Sequence, residues 1–189
     1  PQGATKAAQF IQLCDQSDTP LIFLNNTTGY MVGTEYEQAG MIKHGSKMIQ
    51  AVSNVSVPKI ALYIGASFGA GNYGMSGYAY EPDFLFAWPN AMTGVMGGGQ
   101  AASTMEMVQR AGANRKGIEV DEKHMKMQHM MISEHFDKQS AAVFTSGRVL
   151  DHWVIDPLDT PTLLSFCLET CLEGRARDVS PNSFGVARM

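Results

Sequence analysis

The sequence predicts an α/β domain built on a parallel sheet, and two observations carry this prediction. Short apolar runs alternate with amphipathic helical patterns through the first part of the chain. The runs at 21–24, 60–64 and 84–88 are short and continuous, as in strands buried on both faces of a parallel sheet. Strands that alternate with helices are typical of parallel crossovers. With 189 residues, the chain is long enough for one domain with a sizeable core.

Each element is predicted from apolar spacing and from the residues that break it. Apolar residues recur every three to four positions in the helices and run without interruption in the strands. Pro20 and Pro58 precede the first two strands, and Asn25 and Asn26 end the first one. In chain order we predict a helix over 4–17, a strand over 21–24, a helix over about 35–54, a strand over 60–64, a helix over 69–77, a strand over 84–88, helices after 99, over 122–136 and over 160–172, and an irregular tail over 175–189.

Composition and charge exclude several classes of protein. The chain is 44% hydrophobic and 17% charged, which is typical of a folded globular protein. Its net charge of −4 and its lack of basic blocks give no reason to expect a nucleic-acid partner. No run approaches the roughly 18 apolar residues of a membrane span, so we expect no membrane partner.

Cysteine and histidine residues give no prediction of a metal site. Three cysteines cannot all pair, and Cys167 and Cys171 lie on one predicted helix, which favours reduced thiols packed in a core. The spacing of His124, His129 and His135 scatters them around a helix, so we expect packing or solvation rather than metal binding.

A glycine-rich turn follows the second predicted strand, within the sequence GASFGAGNYGMSGY at 65–78. Residues 69–74 fit the pattern G-x-G-x-x-G. A dinucleotide site needs this turn after the first strand and an acidic residue about 20 positions later. Here another strand comes first, and the next strand ends in Trp88-Pro89-Asn90. A phosphate-binding Walker loop fails as well, because Met75 stands where Lys is required.

Two interpretations of the turn remain open from the residues alone. A helix that starts at Gly69 leaves its first N–H groups unpaired, and Gly69, Ala70 and Gly71 would let a ligand oxygen approach them closely. Such donors form an oxyanion hole. Alternatively, these small residues only permit close packing of helix against sheet.

Several motifs carry a resemblance to a known family. They are TTGYMVG at 27–33, FGAGNYGM at 68–75, WPNA at 88–91, VMGG at 95–98 with QAA at 100–102, VIDP at 154–157 with DT at 159–160, and FGVARM at 184–189. In this order they resemble the C-terminal half of the carboxyltransferase β subunit of biotin-dependent acyl-CoA carboxylases, within its methylcrotonyl-CoA and geranyl-CoA branch. The resemblance implies a crotonase-like superhelix of ββα units that begins late, truncated at its N-terminal edge.

The resemblance also implies a reaction and its partners. Carbon dioxide would pass from carboxybiotin to the γ-carbon of a branched α,β-unsaturated acyl-CoA, and the biotin itself would take the proton, so that no side chain acts as base. Biotin would arrive on a separate carrier domain or subunit. The implied partners are a biotin carboxylase and carrier subunit, an N-terminal carboxyltransferase half and further copies in a homo-oligomer. The implied location is the cytoplasm of a bacterium or the mitochondrial matrix of a eukaryote.

Site residues are carried over by position in the motifs. The resemblance implies that the N–H groups of Gly69 and Ala70 hold the biotin ureido oxygen, and that Gly29, Tyr30 and Gly71 complete the biotin pocket. Tyr30 has an alternative interpretation as a core aromatic residue.

Two further positions are expected to select the substrate. Asn72 falls where the family varies with the acyl group, and Gly99 stands where the methylcrotonyl branch is expected to have Glu. A second departure is His152-Trp153, which replaces an expected Asp-Gly. Because Gly99 frees volume and removes a charge, we expect a longer or different acyl chain.

Two other functions stay open. Another crotonase-like enzyme, such as a hydratase, needs acidic side chains at the thioester, and Glu35 and Glu37 are the candidates. These two glutamates also suit the start of a helix, where negative charge is favoured. A half without its partner could instead be an inactive assembly module.

Overall fold

The computed structural model describes residues 1–181, 183 and 185. The strands are β1 (Leu21–Thr27), β2 (Lys59–Phe68), β3 (Phe84–Ala87), β4 (Met92–Gly94) and β5 (Trp153–Val154). The helices are α1 (Gln2–Gln16), α2 (Thr34–Gln38), α3 (Met41–Asn54), α4 (Gly69–Gly74), α5 (Gly98–Lys116), α6 (Glu122–Ser140), α7 (Ala142–Ser146) and α8 (Thr160–Ala176). Short 3₁₀ turns cover Tyr78–Tyr80 and Pro157–Asp159.

All strand pairs of the sheet are parallel, as the alternation of strands and helices predicts. The order is β1-β2-β3-β5, and β4 pairs with the far half of β2. Strand β2 therefore changes neighbour along its length: residues 60–63 pair with β3, and residues 66–68 pair with β4. As a result, the end of β2, from which the glycine turn begins, lies next to β4.

Two apolar cores cover the two faces of the sheet. On one face, α1 and α3 pack against alternate residues of β1 and against β2, and Val52 is fully buried there. On the other face, Cys167 of α8 packs on Ile60, Leu62 and Phe86. Cys14 and Cys167 are buried free thiols, as the sequence predicts.

The first strand is longer than predicted. We expected Asn25 and Asn26 to end it, but β1 continues to Thr27 and Asn25 is fully buried. The side-chain amide of Asn25 is hydrogen-bonded to Ser67 Oγ and to the Met75 carbonyl. Asn26 Oδ1 accepts a hydrogen bond from the Ala66 N–H at 3.2 Å. Polar side chains are tolerated within the sheet here because their hydrogen bonds are satisfied.

The other differences concern breaks and short elements. The helix predicted over 35–54 is two helices, because Gly40 adopts a left-handed φ of 79° between them. Strands β4 and β5 and helix α7 have at most five residues each and were not predicted. Most of the terminal motif at 184–189 lies outside the described residues.

Helices α5 and α6 pack against each other as a hairpin, and α6 also contacts β4. Asp121 caps α6 by accepting from the N–H groups of Lys123 and His124. Within the described part of the chain, no helix combines the length and apolar character that crossing a bilayer requires.

Candidate active site

The glycine turn lies at the corner where β2 ends and α4 begins. Gly69 opens the helix with a φ of +52°, a conformation that residues with a Cβ rarely adopt. A Cβ at this position would also lie 2.9 Å from the carbonyl oxygen of Val95. Both constraints require glycine at the first position of the turn.

A cleft of about 510 Å³ opens above this corner. It contains three of the residues that the sequence predicts for the site, namely Gly69, Ala70 and Asn72. Its remaining lining comes from Tyr63, Tyr73, Tyr78, Ala79, Thr93, Gly94, Val95 and Leu150. None of these eight residues was predicted for the site. Tyr73 and Val95 lie in the quoted motifs, and the others come from strands and loops that only folding brings together.

The backbone of the turn carries hydrogen-bond donors at the cleft. Among the described residues, neither a turn or loop carbonyl nor a side chain accepts a hydrogen bond from the Ala70 N–H. The first N–H groups of a helix have no partner within it. Ala70 is exposed and lines the cleft, so a residue with an unpaired N–H borders the space that a ligand would occupy.

The opposite face of α4 is packed against the protein. A Cβ at Gly71 would lie 2.9 Å from the Cα of Gly29, and a Cβ at Gly74 would overlap the hydroxyl of Tyr30. Both interpretations of the turn therefore have support, each on its own face of the same short helix. One face meets the cleft and the other permits close packing.

The five residues expected to bind biotin thus divide between two places. Gly69 and Ala70 line the 510 Å³ cleft. Gly29, Tyr30 and Gly71 line a separate cavity of about 290 Å³ on the other side of α4.

Tyr30 packs on the core and also borders this second cavity. A Cβ at Gly45 would lie 3.5 Å from its ring, and its hydroxyl is buried with no hydrogen-bond partner in the described part of the chain. Burial raises the pKa of Tyr30, and the nearby Tyr80 adds to this effect. The core-aromatic interpretation therefore has direct support from the contacts of the ring.

Asn72 lines the cleft but is bound by its neighbours. Its Nδ2 donates to the Tyr63 hydroxyl and to Ser67 Oγ, both at 2.9 Å. Burial raises the pKa of Tyr63, and the hydrogen bonds from Asn72 and from the Tyr78 N–H offset part of this rise.

Gly99 lies apart from the cleft residues. It is the second residue of α5 and is exposed, and no described residue would lie within 4 Å of a Cβ there. Asn72 lines the cleft and Gly99 does not, so the two residues expected to select the substrate do not border the same cavity.

The departure at His152 has a structural explanation. Its Nδ1 accepts a hydrogen bond of 2.9 Å from the Leu85 N–H of β3. A carboxylate at the same position could accept this bond as well, so the exchange of Asp for His keeps an acceptor at the edge of the sheet. Trp153 is exposed on β5.

A neighbouring cavity of about 390 Å³ contains a residue that the sequence analysis missed. Asp151 is only 6% exposed, and neither carboxylate oxygen has a hydrogen-bond partner among the described residues. Burial raises the pKa of this carboxyl, and the nearby charge of His152 opposes only part of the rise. The aspartate gave no signal because surface and buried aspartates look alike in a sequence.

The acids proposed for hydratase chemistry lie elsewhere. Glu35 and Glu37 occupy the first turn of α2, as expected of helix-start residues, and line no part of the cleft. No carboxylate lines the cleft among the described residues. Within the same part of the chain, no group of three or more His, Cys, Asp or Glu could hold a metal ion.

Known proteins similar to this chain are carboxylase subunits. The chain is 52% identical over 188 residues to the probable biotin-dependent acyl-coenzyme A carboxylase beta2 subunit of Mycobacterium tuberculosis, covering 100% of this chain and 35% of that protein. It is 44% identical over 188 residues to the mitochondrial methylcrotonoyl-CoA carboxylase beta chain of Arabidopsis thaliana, covering 100% of this chain and 32% of that one. The chain thus spans about a third of the length of these relatives.

The fold agrees with solved structures of such subunits. The beta subunit of P. aeruginosa geranyl-CoA carboxylase matches with a TM-score of 0.92 and 51% identity, over 100% of this chain and 35% of that one. The transcarboxylase 12S hexamer matches with a TM-score of 0.76 and 27% identity, over 97% of this chain and 33% of that one. The predicted crotonase-like α/β fold is therefore confirmed. Since residues 1–184 match the family model of the carboxyl transferase domain, the chain belongs to the carboxyl transferase family.

Proposed function

We propose that this chain is the biotin-facing part of the carboxyltransferase of a biotin-dependent acyl-CoA carboxylase. The observation that supports it best is the corner at Gly69 and Ala70, where an unpaired amide faces a cleft that contains no carboxylate in the described residues. A site of this kind can bind a negatively charged oxygen, and among the described residues its lining offers no carboxylate to act as the base. It suits a reaction in which the cofactor moves the proton.

The residues present fit the ureido group of biotin. Bound carboxybiotin would supply the carbon dioxide and, after its release, the base for the acyl-CoA. In this proposal the amides of Gly69 and Ala70 donate to the ureido oxygen as negative charge develops there. Glycine at position 69 permits the positive φ and the close approach of the Val95 carbonyl that give the turn its shape, and preorganised donors of this kind stabilise a developing negative charge.

The test removes one backbone hydrogen-bond donor and leaves the other residues of the turn unchanged. Ala70→Pro deletes the backbone N–H, and a lost oxyanion donor costs about 10²- to 10³-fold in rate. We expect carboxyl transfer by the assembled carboxylase to fall by this factor, with little change in acyl-CoA binding. Ala70→Gly keeps the N–H and is the matched control.

Equal losses of transfer and of acyl-CoA binding in a folded Ala70→Pro enzyme would contradict the assignment. Circular dichroism and unfolding midpoints of both variants establish whether the fold is kept. Should Ala70→Pro fail to fold, Ala70→Val, which keeps the N–H but fills the approach to it, tests the same donor and should also slow transfer.

The acyl substrate forms the second part of the proposal. We propose a branched α,β-unsaturated acyl-CoA carboxylated at its γ-carbon, of the methylcrotonyl or geranyl type. This is supported by the 51% identity to the geranyl-CoA carboxylase subunit and the 44% identity to the methylcrotonoyl-CoA carboxylase chain.

Gly99 is proposed to favour the longer acyl chains. A glutamate there meets no other atom within 4 Å of its Cβ, so Gly99→Glu should fold normally and shift turnover toward short branched enoyl-CoA esters. Gly99→Ala adds no charge and serves as the control. An unchanged ratio of turnover for short and long esters would rule out this role.

The partners follow from the same proposal. The chain would act with a biotin carboxylase and carrier subunit, an N-terminal carboxyltransferase half and further copies, in bacterial cytoplasm or a mitochondrial matrix. Size-exclusion chromatography of the natural protein should show a large assembly. A solitary monomer would count against the carboxylase complex, and a stable assembly without carboxyl transfer would favour an assembly module.

A further inference from the structure

We propose that Asn72 is a positioning residue that holds the turn amides in place, and that it does not select the acyl chain. This inference rests on the proposed function of the turn and deepens it. It replaces the expectation that Asn72 reads the substrate.

Helix α4 cannot fix its own position. It has six residues, three of them glycine, and no side chain caps its first turn. Glycine disfavours helix, and helices this short are not stable on their own. The direction in which the turn amides point must therefore be set by contacts with the rest of the fold.

Asn72 supplies two of those contacts. Its Nδ2 donates to the hydroxyl of Tyr63 and to Oγ of Ser67, both at 2.9 Å. Tyr63 and Ser67 belong to β2, the strand that leads into the turn. The amide therefore ties the middle of α4 to the sheet.

The chain of hydrogen bonds continues to the far end of the helix. Ser67 Oγ donates to Asn25 Oδ1 at 3.1 Å, and Asn25 Nδ2 donates to the Met75 carbonyl at 3.1 Å. Asn25 and Ser67 have no exposed surface. Buried groups of this kind carry a large penalty when one partner is lost, so the network has one strongly preferred arrangement.

The same bonds leave Asn72 little capacity to read a ligand. A side-chain amide has two N–H donors, and both are used within the protein. Its Oδ1 packs where a Cβ at Gly77 would overlap it. A change at Asn72 should therefore act through the position of α4, and equally on every acyl-CoA.

Ser67 allows the two roles to be separated. It touches the network but does not line the cleft, so it cannot contact a substrate. We propose Asn72→Leu, which keeps volume and removes both donors, Ser67→Ala, and the double variant, each in the full-length protein assembled with its biotin-bearing partner. Val52→Ala, a buried change in α3 that removes none of these hydrogen bonds, is the control for a general loss of stability.

Two measurements are made on each variant. The first is kcat and KM for a short and a long branched enoyl-CoA. The second is amide hydrogen exchange in peptides that cover residues 69–75. We expect kcat to fall by about 10-fold or more in both single variants, since small misplacements of reacting groups are costly. KM and the ratio between the two acyl-CoAs should stay unchanged, and the double variant should be no worse than the poorer single one.

Exchange in 69–75 should rise in the Asn72 and Ser67 variants but not in Val52→Ala. An altered acyl-CoA ratio in Asn72→Leu with a silent Ser67→Ala would overturn the inference, as would unchanged exchange in both variants. Raised exchange with normal carboxyl transfer would instead show that Asn72 positions α4 while the proposed function of the turn fails. Ser67→Ala removes a single atom and provides the test if Asn72→Leu does not fold.

Discussion

The corner between β2 and α4 and the hairpin of α5 and α6 are built in opposite ways. At the corner, glycines allow contacts too close for any Cβ, and the polar side chains of Asn25 and Ser67 are fully buried and hydrogen-bonded. On the hairpin, large apolar side chains such as Met107 and Met130 are about 70% exposed. Its ion pair of Arg110 Nη1 with Glu122 Oε1, at 2.6 Å, lies between exposed groups.

This difference indicates where the molecule needs a fixed geometry. Exposed ion pairs add little stability and tolerate rearrangement. Buried hydrogen bonds and backbone contacts permit one arrangement only. The corner carries the donors proposed for catalysis, so it is the region where a small displacement is expected to matter most.

The largest expected effect is at the packed face of α4. In Gly71→Ala the new Cβ would lie 2.9 Å from the Cα of Gly29 and 3.0 Å from Thr27 Cγ2. Since backbone cannot move aside cheaply, we expect a loss of about 3 kcal/mol in the free energy of unfolding. Chemical denaturation measures this loss. An unchanged free energy of unfolding would mean that the corner can adjust to an added methyl group as easily as the hairpin.

A smaller, pH-dependent effect is expected at Asp151. Burial raises the pKa of its carboxyl. The free energy of unfolding is therefore undiminished at low pH, where the carboxyl is protonated, and it falls as the pH rises through that raised pKa. Asp151→Asn should remove this loss and stabilise the protein at pH 7.5 by about 1 kcal/mol. The two proteins should converge near pH 4.

Glu122 on the hairpin should change the stability with pH in the opposite direction, and it serves as the comparison. Hydrogen bonds from Arg110 lower the pKa of Glu122, so its contribution is present at neutral pH and is lost as the pH falls. Thermal unfolding of Asp151→Asn and Glu122→Gln between pH 4 and 8 measures both trends. Parallel pH profiles for the two variants would contradict this account.

The smallest effect should come from the same glycine-to-alanine change on the hairpin. Gly112 lies inside α5, and a Cβ there would meet no described atom within 4 Å. Gly112→Ala should therefore raise the free energy of unfolding by about 0.5–1 kcal/mol, because alanine favours helix. Its sign is opposite to that of Gly71→Ala, and a destabilised Gly112→Ala would show that the hairpin is packed as closely as the corner.

The sequence predicted structure correctly where a spacing pattern repeats over several residues. It failed where the conformation of the chain depends on a single residue. The apolar runs located three strands, and glycine spacing located the corner. The break at Gly40 and the continuation of β1 through Asn25 were missed, because each depends on a backbone angle or a hydrogen-bond partner far along the chain. Asp151 was missed because its burial comes from its neighbours in the fold.

The sequence by itself determined the alternation of strands and helices, and with it the parallel sheet and the turn at its edge, since apolar periodicity is a local property of the chain. The family resemblance followed from motifs in order. Only the tertiary structure decided that Gly69 and Ala70 face a cleft while Gly29, Tyr30 and Gly71 lie behind α4. Which side of a six-residue helix meets solvent depends on what packs against it, and those partners come from residues far apart in the chain.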